Sequence, residues 1–278
     1  MAAAWTVMRL TFREAVRRRI ALAALVLGLA FLALYNTGLY FIQREMTANS
    51  PGPALGVNAA YNFFLMAGLY AANFLGVAMA ALLTADTLAG EISTGTVQTL
   101  ATKPVRRSSL VLGKWLGLAG LLILYGLLMV GGVTLSIWVQ TGYQAPNVAR
   151  GVALIVLNSL LIMSTTLACS SVLSTLATGG VIFGLFGLAF VGGWVERVGA
   201  MIQNATAVNV GIASSLLLPS EALWGRAAFD MTSPLIRALG VSPFSSGSVP
   251  SPLMVAYAVL YLAAALGLAV RWFGRRDL

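Results

Sequence analysis

Apolar positions dominate this chain in long uninterrupted runs, and the polar positions collect between them. Six runs, 20–42, 63–83, 116–139, 152–176, 177–195 and 253–270, are each close to the length a helix needs to cross a bilayer. About 20 apolar residues span a hydrocarbon core roughly 30 Å thick, and lipid offers no partner for an open backbone amide. The fourth and fifth runs are divided only by Ala177, Thr178, Gly179 and Gly180, which predicts a tight helical hairpin with its break at those residues. The fold class is therefore all-α, a polytopic membrane protein of six transmembrane helices.

The first run follows Arg9, Arg13, Arg17, Arg18 and Arg19 and has no small-residue cleavage site directly behind it. It is expected to be a retained span and not a signal peptide. Ahead of it, Trp5, Met8, Phe12 and Val16 recur at helical spacing beside a stripe of Arg9, Arg13 and Arg17. That pattern predicts an amphipathic helix in the interface plane, apolar face in the acyl chains and arginines on the phosphates of membrane lipids.

Charge fixes an orientation for this layout. With 59% hydrophobic and 9% charged residues the composition lies far from that of a soluble domain, in which about a quarter of residues are charged. One side of the six runs collects 12 Lys and Arg residues, among them Arg13, Arg17, Lys103, Arg106, Arg107, Lys114 and Arg271; the other collects 5. Cytoplasmic loops carry such an excess, so both termini are expected in the cytoplasm. The basic balance then faces anionic lipid, and no nucleic acid is needed to account for it. The chain has no histidine and one cysteine, Cys169, so no metal, haem or Cys/His catalytic site is expected.

Two polar regions remain. Segment 196–251 is too apolar for a free loop and too broken for a seventh span, which predicts short helices lying on the outer leaflet or dipping into it. Within the fourth run Ser159, Met163, Thr166, Ser170 and Ser174 share one face, next to Asn158 and Thr165. Such a face bonds neighbouring helices or lines a substrate route. Gly113-xxx-Gly117 and Gly180-xxx-Gly184 read as sites of close helix approach.

The stretch from Asp86 to Lys114 is the most specific. Asp86 and Glu91 are followed by Gly95-Thr96, a short helical run at 96–100, Lys103-Pro104, Arg106 and Arg107, then Ser108-Ser109 as the expected cap of the next helix, and Gly113-Lys114. Glu91, Gly95, Thr96, Leu100, Pro104, Arg106, Arg107, Gly113 and Lys114 carry a pattern that resembles the loop between spans 2 and 3 of type-2 ABC transporter permeases. The layout is similar too: an N-terminal amphipathic helix, six spans and an extended outer segment before the last.

The resemblance implies a single permease domain over 1–278, with 1–19 as interface helix, 84–115 as coupling loop and 196–251 as extracytoplasmic segment. It implies an ATP-driven exporter subunit in the cytoplasmic membrane of a prokaryote, paired with a second permease copy as a homodimer and docked on two ATPase subunits. Glu91, Gly95, Thr96, Leu100, Pro104, Arg106, Arg107, Arg13 and Arg17 would couple to the ATPase, and Ser159, Met163, Thr166 and Ser170 would line the path. ATP and magnesium would sit on the partner; Gly-x-x-x-x-Gly-Lys-Ser/Thr, which holds phosphates and magnesium, is absent, since Lys103 precedes Pro104 and Lys114 precedes Trp115. No catalytic residue, cofactor or metal is expected in this chain. The alternatives are a membrane component that transmits ATPase-driven motion to an outer assembly or maturation partner, and a six-span secondary transporter. The runs carry no mid-membrane charge, which weighs against the latter.

Overall fold

The computed structural model describes residues 2–48, 54–93, 106–238 and 249–275. In chain order its helices are α1 (Ala2–Arg17), α2 (Arg19–Ala48), α3 (Ala54–Ser93), α4 (Arg107–Thr141), α5 (Val148–Ser170), α6 (Thr175–Met201), α7 (Ala205–Leu217), α8 (Ser220–Met231), α9 (Pro234–Ala238) and α10 (Pro252–Arg275). Six of them, α2 to α6 and α10, are long and apolar enough to cross a membrane, so the protein is an all-α multi-pass membrane protein. The end of the bundle that carries α1, the last turns of α3 and the first turns of α4 is called here the basic end, and the opposite one the far end.

α5 is the central helix, packed on α3, α4, α6, α8 and α10. The main core joins Met66, Leu69 and Leu83 of α3, Leu122, Met129 and Val133 of α4, Leu161 to Met163 of α5, and Trp224 and Met231 of α8. A smaller core at the basic end joins Leu88, Val111, Leu167, Ala168, Ala269 and Phe273. Inside this apolar body polar side chains pair across helices. The Asn158 amide donates to Asn73 Oδ1 at 2.9 Å, Asn62 donates to the Tyr143 hydroxyl at 3.0 Å, and the Trp115 indole N–H donates to Ser164 Oγ at 2.8 Å. The first and third pairs each join two helices, and the second ties α3 to the α4–α5 connection.

Four expectations need correction. The break between the fourth and fifth spans falls at 171–174 and not at Ala177 to Gly180. Ser174 in extended backbone caps α6, its hydroxyl accepting from the Ala177 N–H. Gly179 and Gly180 stay helical with open space around them, because a glycine costs a helix only about 1 kcal/mol and a capping serine upstream sets the start. Second, α3 does not end near residue 83. It runs to Ser93, 40 residues, or about 60 Å at 1.5 Å per residue, so Asp86 and Glu91 stand on helix. Third, Ser108 and Ser109 do not cap α4; Arg106 holds that position with no side-chain cap bond.

The fourth correction concerns α1. Ala4 and Val7 meet α4 at Gly113, Met8 and Thr11 meet it at Gly117, and Phe12 meets it at Gly120. Contacts that advance together along both helices mean that α1 runs beside α4 in the same direction, seated on protein as well as lipid. Its small face, Thr11 and Ala15, is buried, Met8 and Phe12 are half-buried, and only Trp5 and Val16 of the apolar stripe are exposed. The predicted glycine pair at Gly113 and Gly117 is therefore a seat for α1. By contrast, Gly180 and Gly184 have open space on this chain.

Among the described residues of segment 196–251, α7 and α8 form a helical hairpin. α7 returns antiparallel along α6, with Ala207 at Gly199, Gly211 at Glu196 and Ser214 at Gly192. The chain turns at Leu218 and Pro219, and α8 climbs back until the Asn147 amide donates to the Asp230 carbonyl at 3.2 Å. Thirteen residues of α7 reach about 20 Å, short of a full crossing.

A Cβ on Gly117 would lie 2.8 Å from the Met8 carbonyl oxygen, whereas one on Gly120 would lie 3.6 Å from the Phe12 ring. Gly117→Ala is therefore expected to lift α1 and destabilise the protein by about 1–3 kcal/mol, while Gly120→Ala is neutral or stabilising by up to about 1 kcal/mol. Thermal unfolding of the two variants in detergent checks the contrast.

Candidate functional site

In the last turn of α3 Glu91 faces an unfavourable situation, and Asp86 lies about two turns before the end of the same helix. The last turn of a helix carries unpaired carbonyls and a partial negative charge, so carboxylates there need cations or donors. Glu91 obtains Lys114 from α4, the two forming an ion pair. The Lys114 ammonium is buried and also donates to the Thr87 carbonyl at 3.0 Å, one turn before Glu91 on α3. Asp86 accepts from the Thr175 hydroxyl at 3.0 Å, at the start of α6, and lies 3.9 Å from Arg18. Arg18 in turn pairs with Glu14 of α1 at 2.7 Å. Arg107 donates to the Gly274 carbonyl at 3.3 Å, bringing in α10.

These contacts join the basic ends of α1, α3, α4, α6 and α10 through charged and polar side chains. Arg13, Glu14, Arg17 and Arg18 line a shallow groove beside the cluster. Arg13, Arg17 and Arg106 are exposed, and Glu91 and Arg107 are half-buried. The structure thus gathers Glu91, Arg106 and Arg107 at one end with Arg13 and Arg17. Gly95, Thr96, Leu100 and Pro104, together with the short helix expected at 96–100, lie outside the described residues. Reading the chain as a sequence did not find the partner of Glu91. Lys114 stood in the same pattern, but nothing in a spacing of 23 residues says that the two side chains meet.

Ser159, Met163, Thr166 and Ser170 are buried inside the protomer. Their hydroxyls turn back on the helix that carries them: Ser159 donates to the Ile155 carbonyl at 3.4 Å, Thr166 to Ile162 at 2.7 Å and Ser170 to Leu167 at 3.0 Å. Ser159 also presses on Gly76 of α3. This geometry favours helix contact, the first of the two roles read for that face.

A second charged constellation sits toward the far end. Arg197 of α6 and Glu221 of α8 are both buried and pair at 2.6 Å. The Arg197 guanidinium also donates to the Tyr70 hydroxyl at 3.4 Å and lies over the Tyr70 and Trp194 rings at 5.3 and 5.2 Å. The Tyr70 hydroxyl donates to Glu221, at 3.4 Å from each carboxylate oxygen. This pair ties the hairpin turn to α3 and α6. The hint in the sequence was Glu196-Arg197 ending an apolar run and Glu221 following Leu216 to Pro219; their meeting across 24 residues was not legible. Among the described residues no group of three or more His, Cys, Asp or Glu is placed to hold a metal ion.

A family model described as "ABC-2 family transporter protein" matches residues 5–278. No curated protein matches the chain.

Removing one member of a buried ion pair strands the other charge and costs roughly 3–5 kcal/mol, while replacing both by apolar or neutral groups is often close to neutral. The Glu91 side chain is 24% exposed, which lowers the first figure. Glu91→Gln and Lys114→Ala are each expected to cost about 2–3 kcal/mol. Glu91→Gln combined with Lys114→Met is expected to recover most of the loss. Unfolding midpoints of the three variants against the parent measure it.

Proposed function

Because the chain belongs to the ABC-2 transporter family and is a multi-pass permease subunit of an ABC transporter, we propose that it forms one half of an ATP-driven exporter. Its basic end faces the cytoplasm, where the excess of Lys and Arg belongs, and the α7–α8 hairpin lies in the outer half of the cytoplasmic membrane of a prokaryote. Two ATPase subunits dock on the basic end and carry the ATP and magnesium. A second copy of this chain completes the transporter.

The observation that carries this reading is the charged cluster at the basic end. A motor that pushes on the segment around Gly95, Thr96, Leu100 and Pro104, or on Arg13 and Arg17 of α1, acts on elements tied to α3 and α4 by Glu91 and Lys114, to α6 by Asp86 and Thr175, and to α10 by Arg107. The displacement is then delivered to the helices together, as a rigid-body step of the kind that switches packed bundles. Since Ser159, Met163, Thr166 and Ser170 are enclosed within one protomer, the substrate route is placed between the two bundles.

Pull-down of the tagged chain from native membranes is expected to bring a P-loop ATPase with vanadate-sensitive hydrolysis. In that complex the Glu91→Gln/Lys114→Met protein, inserted and folded like the parent, is expected to lower transport-coupled hydrolysis at least about tenfold, a loss of about 1.4 kcal/mol of coupling. Hydrolysis and transport at the parental rate would overturn the coupling role of the ion pair, and a chain that elutes alone would overturn the subunit reading.

A further inference from the structure

The bend between α1 and α2 gathers mostly positive charge. Arg13, Arg17, Arg18 and Arg19 lie close together in the chain, and the apolar run of α2 starts directly after them. The two carboxylates within reach are both directed at one of the four: Glu14 pairs with Arg18 at 2.7 Å, and Asp86, held by Thr175, lies 3.9 Å from the same guanidinium. Among the described residues Arg13, Arg17 and Arg19 have no acidic partner, and all three are exposed. Arg13 and Arg17 stand one turn apart on α1 and line one shallow groove, where like charges repel unless an anion sits between them.

An apolar furrow leads away from this group. It is lined by Arg19, Leu22, Ala23, Val26, Leu27 and Ala30, which share one face of α2 and are all exposed. Gly28, on the opposite face, packs on Met129 of α4, so the furrow looks outward from the bundle. Ala23 and Ala30 keep it open between Leu22 and Val26 on one side and Leu27 on the other. From Arg19 to Ala30 it runs about 16 Å at 1.5 Å per residue, the depth of one leaflet of a hydrocarbon core roughly 30 Å thick.

A ligand that answers both features carries an anion at the membrane surface and an alkyl chain that reaches the bilayer midplane. Arginine suits a phosphate, because its planar fork holds two oxygens at once. A second copy of this chain would bring the same arginines and be repelled. An acidic protein would meet the charge and leave the furrow empty, and a zwitterionic lipid would set its own ammonium among the guanidinium groups.

We propose that the α1–α2 bend and the outward face of α2 form a binding site for an anionic phospholipid of the leaflet at the basic end, its phosphate at Arg19 and the neighbouring Arg13 and Arg17, one acyl chain in the furrow. The site rests on the chain being a membrane protein and on no part of the exporter reading, and it is tested without ATPase or nucleotide.

The full-length chain, purified in a nonionic detergent, is titrated with dioleoylphosphatidylglycerol or dioleoylphosphatidylcholine, and bound lipids are counted by native mass spectrometry. The first phosphatidylglycerol is expected to bind at least about tenfold tighter than the first phosphatidylcholine. Glycerol phosphate, the anion without its chains, is expected not to bind at the same concentrations. Arg17→Gln combined with Arg19→Gln is expected to remove the preference, while Arg150→Gln, exposed at the far end, leaves it intact. Ala23→Leu combined with Ala30→Leu fills the furrow, keeps every charge and is expected to weaken phosphatidylglycerol at least about threefold; it decides the matter if the arginine variant does not insert. Equal binding of the two lipids, unchanged phosphatidylglycerol affinity in either inserted double variant, an equal loss in Arg150→Gln, or binding of glycerol phosphate as tight as that of the lipid would overturn the proposal.

Discussion

A lysine withdrawn from water between two helices has to be neutralised where it sits, and much of the basic end follows from how that is done at Lys114. Its ammonium takes the Glu91 carboxylate and the Thr87 carbonyl together, so α3 and α4 are held at one register by a contact that tolerates little sliding. Gly113, on the adjoining face of α4, is then fixed as the seat of α1. Asp86, the residue before Thr87 on α3, is brought within reach of Thr175 and Arg18. Loss of either partner would strand the other's charge and loosen the register that places the seat of α1.

The same logic extends along α3. Asn62, Tyr70, Asn73, Thr84, Thr87 and Glu91 recur at helical spacing; Asn62, Asn73, Thr84 and Thr87 are buried in an otherwise apolar helix, and Tyr70 and Glu91 are half-buried. Asn62 meets Tyr143, Tyr70 meets Arg197 and Glu221, Asn73 meets Asn158, and the Thr87 carbonyl and Glu91 carboxylate meet Lys114. In lipid, polar groups find each other because nothing else accepts them. α3 is thus held by specific bonds over nearly its whole length, from the ion pair at the basic end to the one below the far surface.

How much of this was legible in the sequence divides by range. Six spans and the helical fold follow from runs of apolar residues, because bilayer thickness imposes a length that composition reveals directly. Helix ends were read less well where a local signal lost to a remote one. Asp86 and Glu91 looked like loop residues, yet Thr175 and Lys114 keep them on helix. Gly179 and Gly180 looked like a break, yet the Ser174 cap had already started α6. The pairing of Arg197 with Glu221 had no local signature at all, since it depends on a hairpin whose turn brings residue 221 back to residue 193. In the stretch from Asp86 to Lys114, the residues at either end are placed, and Gly95 to Pro104 lie outside the described residues.

That hairpin also has a consequence for how the protein is made. α7 is too short to cross a bilayer by itself, and α8 carries Glu221 with it, so neither can be released into lipid as an independent span on leaving the ribosome. The berth for Glu221 needs Tyr70 of α3 and Arg197 of α6 already in place. The outer side of that berth is closed only afterwards, when the start of the last span arrives and Arg226 reaches the Pro250 carbonyl and Tyr257 the Leu216 carbonyl. Biogenesis of the chain therefore has an obligatory order, in which α7 and α8 settle into an assembled bundle and the final span seals them there.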